Sequence, residues 1–335
     1  LLELATEVES GWYEAVSAEQ VAQMREVVAQ AAEASAELAQ RFFDAGNIAR
    51  LQLEQELAAA SEARIQAVRA RAEALRARSA LAGRIGLSST DPWTLQPQLP
   101  APPATALSTD TLVPLALENR LDLAAARRGV ALREDTLGVT RRWRWLGSIE
   151  VGYERESEID GEVLRGPSLT LALPIFNQGQ GAVARAQAEL LQARAELDAL
   201  VLNVHNTARL ALEEIKVARD IAERYRTELV PRREAIVART QEEVNYMLVG
   251  VFELLLAKRE EYDAYQEYLE AVRDYWVARA ALRGAVGGRL PDDDAPLEPT
   301  IGVDAILPSA TPVPTKHEGM DHGATDLESP AEDPH

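Results

Sequence analysis

The run from Ala182 to Tyr246 contains one proline, Pro231, and no glycine, and it otherwise reads as uninterrupted helix. At 1.5 Å per residue such a helix is about 95 Å long. A compact domain of comparable chain length is far smaller than that. The helices of this chain therefore cannot gather around a globular core; they must lie side by side along most of their length. Pro231 predicts a kink, because its ring removes a backbone donor and crowds the preceding turn. The last helix shows how the packing works. Leu255, Tyr262, Leu269, Val272 and Trp276 fall at spacings of three, four and seven and form one apolar stripe. Alanine-rich opposite faces permit close approach on more than one side, which suits a wall of helices better than a two-stranded coil.

Composition agrees with long helices. The 335 residues include 5% aromatics and no Cys, with Ala, Glu, Arg and Leu dominant. A formal charge of −19 argues against nucleic acid as a partner, since phosphate contacts need a basic surface. No apolar run reaches the roughly 18 residues of a transmembrane helix.

Along the chain, residues 1–86 predict two antiparallel helices joined at Asp44-Ala45-Gly46-Asn47. A linker with five prolines follows over 87–109, then a helix over 110–145. Between 146 and 176 the period changes. Ile149, Val151 and Tyr153, and again Leu169, Leu171 and Leu173, alternate with small or polar residues, as in strands. The expected β-hairpin has strands 146–156 and 166–176 around an acidic loop. Residues 177–288 form a second helical hairpin, and 289–335 an acidic tail whose composition predicts disorder.

The two helical hairpins close on nearly the same phrase. ARSALAGRIG (77–86) and ARAALRGAVG (278–287) begin 201 residues apart and agree at six of ten positions. Both follow a glycine-containing turn, with Leu51 and Leu255 five residues beyond Gly46 and Gly250 respectively. Gly83 and Gly284 are expected to cap the closing helices. The pattern reads as a duplicated helix-turn-helix unit. The second copy is preceded by the hairpin at 146–176, and its first-copy counterpart would fall before Leu1. The chain, which opens in helix-like sequence at Leu1, is therefore expected to lack an amino-terminal piece holding a first strand pair, a signal peptide and a lipid-modified Cys.

Four phrases carry a family resemblance. ALENRLDLAAARR (Ala116–Arg128) resembles the A-x-E-N-R-P-D-L phrase of the TolC-like outer-membrane efflux channels, with Leu121 where that family has Pro. LTLALPIFNQGQ (Leu169–Gln180) resembles its strand-to-helix passage, and GVFELLLAKR with DYWVARAALRGAVGG resembles its last hairpin. The likeness spans roughly residues 1–290. It implies a mainly α fold of long antiparallel helical hairpins, an α-barrel, joined to one short transmembrane β-hairpin. It also implies a homotrimer whose strands close a barrel in outer-membrane lipid while its helices build a periplasmic tunnel. A periplasmic adaptor protein and an inner-membrane transporter are the implied partners. Lipid demands closure, because an open hairpin would leave unpaired backbone groups. This chain holds two strands where each subunit of the family gives four.

The predicted function is a passive duct for exported solutes in a tripartite efflux pump, with heavy-metal ions of the copper or silver type as expected cargo ahead of organic drugs, and without catalysis or cofactor. A type I protein-secretion outlet and a soluble helical scaffold are the alternatives; the alternation at 149–153 and 169–173 argues against the scaffold. Expected tip and adaptor-docking residues are Asp44, Gly46 and Asn47 in the first turn and Gly250, Val251 and Glu253 in the second. Glu242 and Glu243 are expected at the tunnel mouth, where carboxylates favour cations. His317-Glu318-Gly-Met-Asp-His322 is not an H-E-x-x-H zinc motif, since its histidines are five apart and miss a shared helix face. His317, Met320 and His322 nonetheless combine imidazole and thioether, ligands suited to soft ions such as Cu(I) or Ag(I). A flexible acidic tail with incidental histidines is the simpler reading. His205, with no Cys, Ser or Asp at helical spacing, reads as structural.

Overall fold

The computed structural model describes residues 2–88, 91–103, 107–144, 149–157, 163–171, 178–291, 293 and 300. The chain divides into two units, residues 1–300 and 301–335; the second, with His317, Met320 and His322, lies outside the described residues. The described helices are α1 (Leu2–Asp44), α2 (Arg50–Ile85), α3 (Thr109–Asn119), α4 (Leu121–Trp143), α5 (Gln180–Arg224), α6 (Val230–Asn245) and α7 (Val251–Val286), and the strands are β1 (Ile149–Ser157) and β2 (Val163–Leu171). Among the described residues no helix is long and apolar enough to cross a membrane.

Heptad spacing of small residues sets the helix order. Leu53, Ala60, Ala67, Ala74 and Leu81 recur every seven residues on α2, and all five are buried. They face α1, whose buried face is also mostly small, with Ala15, Ser17, Ala29, Ser35, Ala36 and Ala39. Strict seven-residue spacing keeps one seam in contact over many turns. Beyond α1 lies α7, and beyond α7 lie α5 and α6, so α1 and α7 separate α2 from α5. Helix α7 is thus flanked on both sides. Its larger side chains, Tyr262, Tyr268, Leu269, Val272, Trp276 and Leu282, are all buried, while Leu255 is half-buried. Helix α4 rests on α5 through Val130, Leu137, Ala186 and Leu190.

The long run around Pro231 is divided, not merely kinked. A π-helical turn, Tyr225–Leu229, separates α5 from α6, and the Val230 N–H reaches back to the Tyr225 carbonyl. Proline has no N–H and crowds the carbonyl four residues before it. One wider turn ahead of Pro231 accommodates both effects.

The predicted helix 110–145 is likewise two helices. Arg120 is extended (φ −67°, ψ 117°) and ends α3. Its guanidinium donates to both oxygens of Asp122, at 3.0 and 2.6 Å, and to the Ala285 carbonyl at 3.2 Å. The phrase Asn119-Arg120-Leu121-Asp122 is therefore a break pinned against the end of α7. Gly287 is required there twice over. It has φ +81°, and a Cβ would stand 3.2 Å from the Arg120 Cα.

Strands β1 and β2 pair antiparallel in the register Ile149↔Leu171, Val151↔Leu169, Gly152↔Ser168 and Tyr153↔Pro167. β1 runs one residue past the predicted 146–156 and β2 starts three residues before the predicted 166–176; residues 146–148 and 172–176 lie outside the described residues. Val151, Tyr153 and Leu169 share one face and are 79%, 70% and 72% exposed. Glu150, Gly152, Ser168 and Thr170 occupy the other face. An apolar face open to the surroundings backed by a polar one is the alternation of a barrel strand in lipid.

Leu121 is the first residue of α4, follows an extended residue and is 83% exposed. Proline fits such a position, because that N–H has no intrahelical acceptor and the preceding residue already has the backbone proline imposes. Leu121→Pro is expected to be stabilising by about 0.5 kcal/mol, read as a small rise in the midpoint of thermal unfolding followed by circular dichroism. A fall would contradict this account of the break.

Candidate functional site: the helix tips and the anchored end of α7

Both long hairpins turn by the same device. After α1, the Gly46 N–H bonds the Phe43 carbonyl (2.9 Å) and the Asn47 N–H bonds the Phe42 carbonyl (2.8 Å). After α6, the Met247 N–H bonds the Val244 carbonyl (2.9 Å) and the Leu248 N–H bonds the Glu243 carbonyl (2.9 Å). Each is a Schellman closure, with the first donor residue left-handed. Gly46 has φ +76° and Met247 has φ +55°. The correspondence between the hairpins holds at an offset of 201 along the next helices as well. Both α2 and α7 have 36 residues, are preceded by an extended residue (Ala49, Gly250) and stop at a left-handed glycine (Gly86, Gly287).

This corrects three expectations. Gly46 corresponds to Met247, not to Gly250. Gly250 has φ −80° and caps the start of α7, where its N–H donates to the Glu253 carboxylate at 2.9 Å. The closing caps are Gly86 and Gly287; Gly83 and Gly284 lie one turn earlier, inside their helices.

The remaining predicted tip residues fall where the turns place them. Asp44 ends α1, accepts from Gln40 Nε2 (2.9 Å) and is exposed, as is Asn47. Glu242 and Glu243 are exposed in the last turn of α6, and their backbone carbonyls accept the tip N–H groups. Val251 opens α7 and is half-buried. His205 is exposed on α5. Phe42 and Phe252 meet edge to face with centroids 6.1 Å apart, which ties the two tips together. A cavity of about 600 Å³ lies behind that pair, between α1, α2 and α7, lined by Val28, Ala32, Leu51, Leu255 and Tyr262 among others.

Sequence reasoning passed over the most exposed apolar group of the tips. Tyr246, Met247 and Leu248 are 78%, 93% and 74% exposed. The signal was present as three large residues in a turn that elsewhere uses glycine. A side chain other than glycine in the left-handed region costs about 1 kcal/mol, and such strain gathers at functional positions.

At the opposite end of α7, charged groups hold the chain's crossings. Arg279 and Asp293 are both nearly buried and pair at 2.8 Å. Arg283 bonds the same Asp293 oxygen and both oxygens of Glu9, each at 2.8 Å. Tyr13 stacks on Trp276 (5.2 Å), whose indole N–H donates to the Pro100 carbonyl at 2.7 Å. Leu99 donates to Gln20 and accepts from Thr300. The proline-rich segment and the start of the C-terminal stretch are thereby fastened across α1 and α7. Burial alone would raise the Asp293 pKa, but hydrogen bonds from Arg283, the Leu290 N–H and Arg279 outweigh it and hold it below the usual carboxylate range. Among the described residues no three His, Cys, Asp or Glu side chains cluster closely enough to hold a metal ion.

Neither a protein-family model nor a curated protein matches the sequence. Solved structures do match. CusC, in a study of its folding and transmembrane channel formation, superposes over 86% of this chain and 69% of its own, with a TM-score of 0.68 and 17% identity. The outer-membrane protein VceC from Vibrio cholerae gives 86% and 70%, a TM-score of 0.65 and 15% identity. The open state of the Neisseria gonorrhoeae MtrE outer-membrane channel gives 86% and 66%, 0.65 and 18%. The chain thus has the mainly helical fold of the TolC-like outer-membrane channels. It spans about two thirds of their length, 63% of the Campylobacter jejuni CmeC channel.

Two outcomes test the site. Gly46→Ala is expected to cost about 1 kcal/mol and Met247→Gly to gain up to about 1 kcal/mol, compared by chemical denaturation. For the Asp293 cluster, a carboxylate whose folded pKa lies below its unfolded value of about 3.9 stabilises the fold above that value. The contribution is lost as pH falls through the folded pKa. Stability should therefore decline in acid below about pH 4. Asp293→Asn should flatten that decline and lower neutral stability by about 3 kcal/mol, the cost of breaking a buried pair.

Proposed function

We propose that this chain is the outer-membrane channel subunit of a tripartite efflux pump: a passive, water-filled duct with no catalytic step. One observation carries the reading. Long helical hairpins share one molecule with a strand pair whose apolar face, Val151, Tyr153 and Leu169, stands exposed. In water such a face would be a liability. In lipid it is the required outer surface of a closed barrel. The correspondence of elements 201 residues apart supports descent from a duplicated helical hairpin.

Within this reading the helical tips face the periplasm. Tyr246, Met247 and Leu248, together with Asp44, Gly46, Asn47, Gly250, Val251 and Glu253, form the docking surface for the adaptor protein that links the duct to an inner-membrane transporter. Glu242 and Glu243 border the mouth and favour cations there. We propose heavy-metal ions of the copper or silver type as cargo, on the imidazole and thioether groups of His317, Met320 and His322. Isothermal titration of the full chain with Ag(I) should lose a binding step in the His317→Ala/His322→Ala variant; no binding to either would remove the metal reading alone.

Separation of inner and outer membranes after expression of the complete gene is the direct test of the channel. Recovery with the outer membrane is expected, and recovery wholly in the soluble fraction would overturn it. Met247→Asp should then leave the protein in that fraction while weakening adaptor cross-linking.

A further inference from the structure

Acidic residues are spread through this chain, 54 among 335, yet residues 136–149 and 163–188 hold none. The first of these stretches joins α4 to β1, and the second runs through β2 into α5. Within the first stand Arg141, Arg142 and Arg144, around Trp143. Arg141, Arg142 and Trp143 belong to the last turn of α4 and Arg144 follows it; all four are exposed, Trp143 to 56%. Val139, 58% exposed, lies one turn before Trp143 on the same face. No residue three or four positions from Arg141 or Arg142 is acidic, so α4 itself supplies no carboxylate to neutralise them. The helical run of α5 and α6 starts beside this basic turn and ends at tips of the opposite charge, with Asp44, Glu242, Glu243 and Glu253.

Backbone packing fixes the level of the basic turn. Arg144 lies against Gly179, the left-handed residue (φ +73°) that opens α5. A Cβ at Gly179 would stand 3.1 Å from the Arg144 Cβ and 3.5 Å from its carbonyl oxygen. Leu137 and Ala186 continue the contact along the two helices. The end of α4 and the start of α5 are thus held side by side where helices give way to strands. From Arg144 to Ile149 is at most about 18 Å of chain, and the exposed apolar face of Val151, Tyr153 and Leu169 begins just beyond. Polar headgroups border the hydrocarbon of a bilayer by about 5–8 Å on each side. The long arginine side chains stand at the level where such a layer would meet the helices.

We propose that Arg141, Arg142 and Arg144, with Trp143 among them, bind the headgroups of anionic phospholipids in the leaflet on the helix side of the membrane. The inference rests on the channel reading, which puts β1 and β2 in lipid. A chain of charge −19 is repelled as a whole by an anionic surface. A turn with three arginines and no acidic neighbours in sequence reverses that repulsion at the level of the headgroups. Guanidinium groups pair with phosphate through two parallel hydrogen bonds, which a neutral or zwitterionic surface rewards less. The Trp143 indole, with Val139 behind it, has the apolar body and polar edge of a side chain that rests at an interface.

The complete gene product is captured from detergent micelles holding equal amounts of dioleoyl phosphatidylglycerol and dioleoyl phosphatidylcholine, and the retained lipid is extracted and quantified by mass spectrometry. Phosphatidylglycerol should be retained in preference. Each basic side chain at an anionic surface is worth about five-fold, so Arg141→Gln/Arg142→Gln should cut the preference by about twenty-fold. Arg141→Lys/Arg142→Lys should keep most of it. In the unaltered chain 1 M salt, with its Debye length of about 3 Å, should remove most of the preference, a result that needs no variant to fold. Equal retention of the two lipids by the unaltered chain, or a preference unchanged in the glutamine variant, overturns the headgroup site. Release of phosphatidylglycerol by millimolar inorganic phosphate also overturns it, by assigning the arginines to free phosphate. A chain recovered with the outer membrane but without lipid preference refutes this site and spares the channel reading; a preference shown by chain recovered wholly from the soluble fraction does the reverse.

Discussion

Close approach of α1 and α2 through small side chains is the contact on which the rest depends. Leucine ends and alanine centres, repeated every seven residues on α2, let two helices of 43 and 36 residues stay together without a bulky core. Each alanine buries little, roughly one methyl at about 0.8 kcal/mol. Length compensates, since the seam continues over five heptad positions. With α2 held on one side of α1, α7 must occupy the other. Its aromatic residues then have helices on both flanks, and α5 with α6 completes a layer instead of a globule.

That layer has two kinds of end. The tips are closed by local backbone geometry, a Schellman turn at Gly46 and another at Met247. They present little buried charge and an exposed apolar group, Tyr246 to Leu248. The far end of α7 is held by tertiary chemistry, with Asp293 shared between Arg279 and Arg283 and indole and glutamine bonds to the backbone at Leu99 and Pro100. A surface that docks a partner gains from exposed side chains, whereas a crossing of several segments has buried polar groups that must be paired.

Much of this was legible from residue spacing. Alanine-rich helix faces, the change to period two at Ile149–Tyr153 and the paired closing phrases each report a local rule, and local rules act whatever the surroundings. The glycine roles were harder. Gly83 and Gly284 look like caps because they precede the break, but the helices run three residues further, to Gly86 and Gly287. Gly250 looks like the tip residue because glycine tolerates left-handed backbone. The chain spends that strain on Met247, and no composition rule anticipates a residue that disobeys propensity. The split at Arg120 was hidden for a different reason. Leu121 gives no signal of a break where a proline would have announced one, and the break is held by the Arg120–Asp122 pair and the Ala285 carbonyl.

By itself the sequence determined that the helices are long, that they pair through small residues, and that a strand pair with one apolar face interrupts them. Those are properties of neighbours along the chain, fixed by periodicity and by side-chain volume. Only the tertiary structure decided that α7 lies inside the layer and that Glu9, 274 residues away in sequence, pairs with Arg283. Those depend on where helices that are remote in sequence come to rest against one another, which spacing within a single helix does not encode.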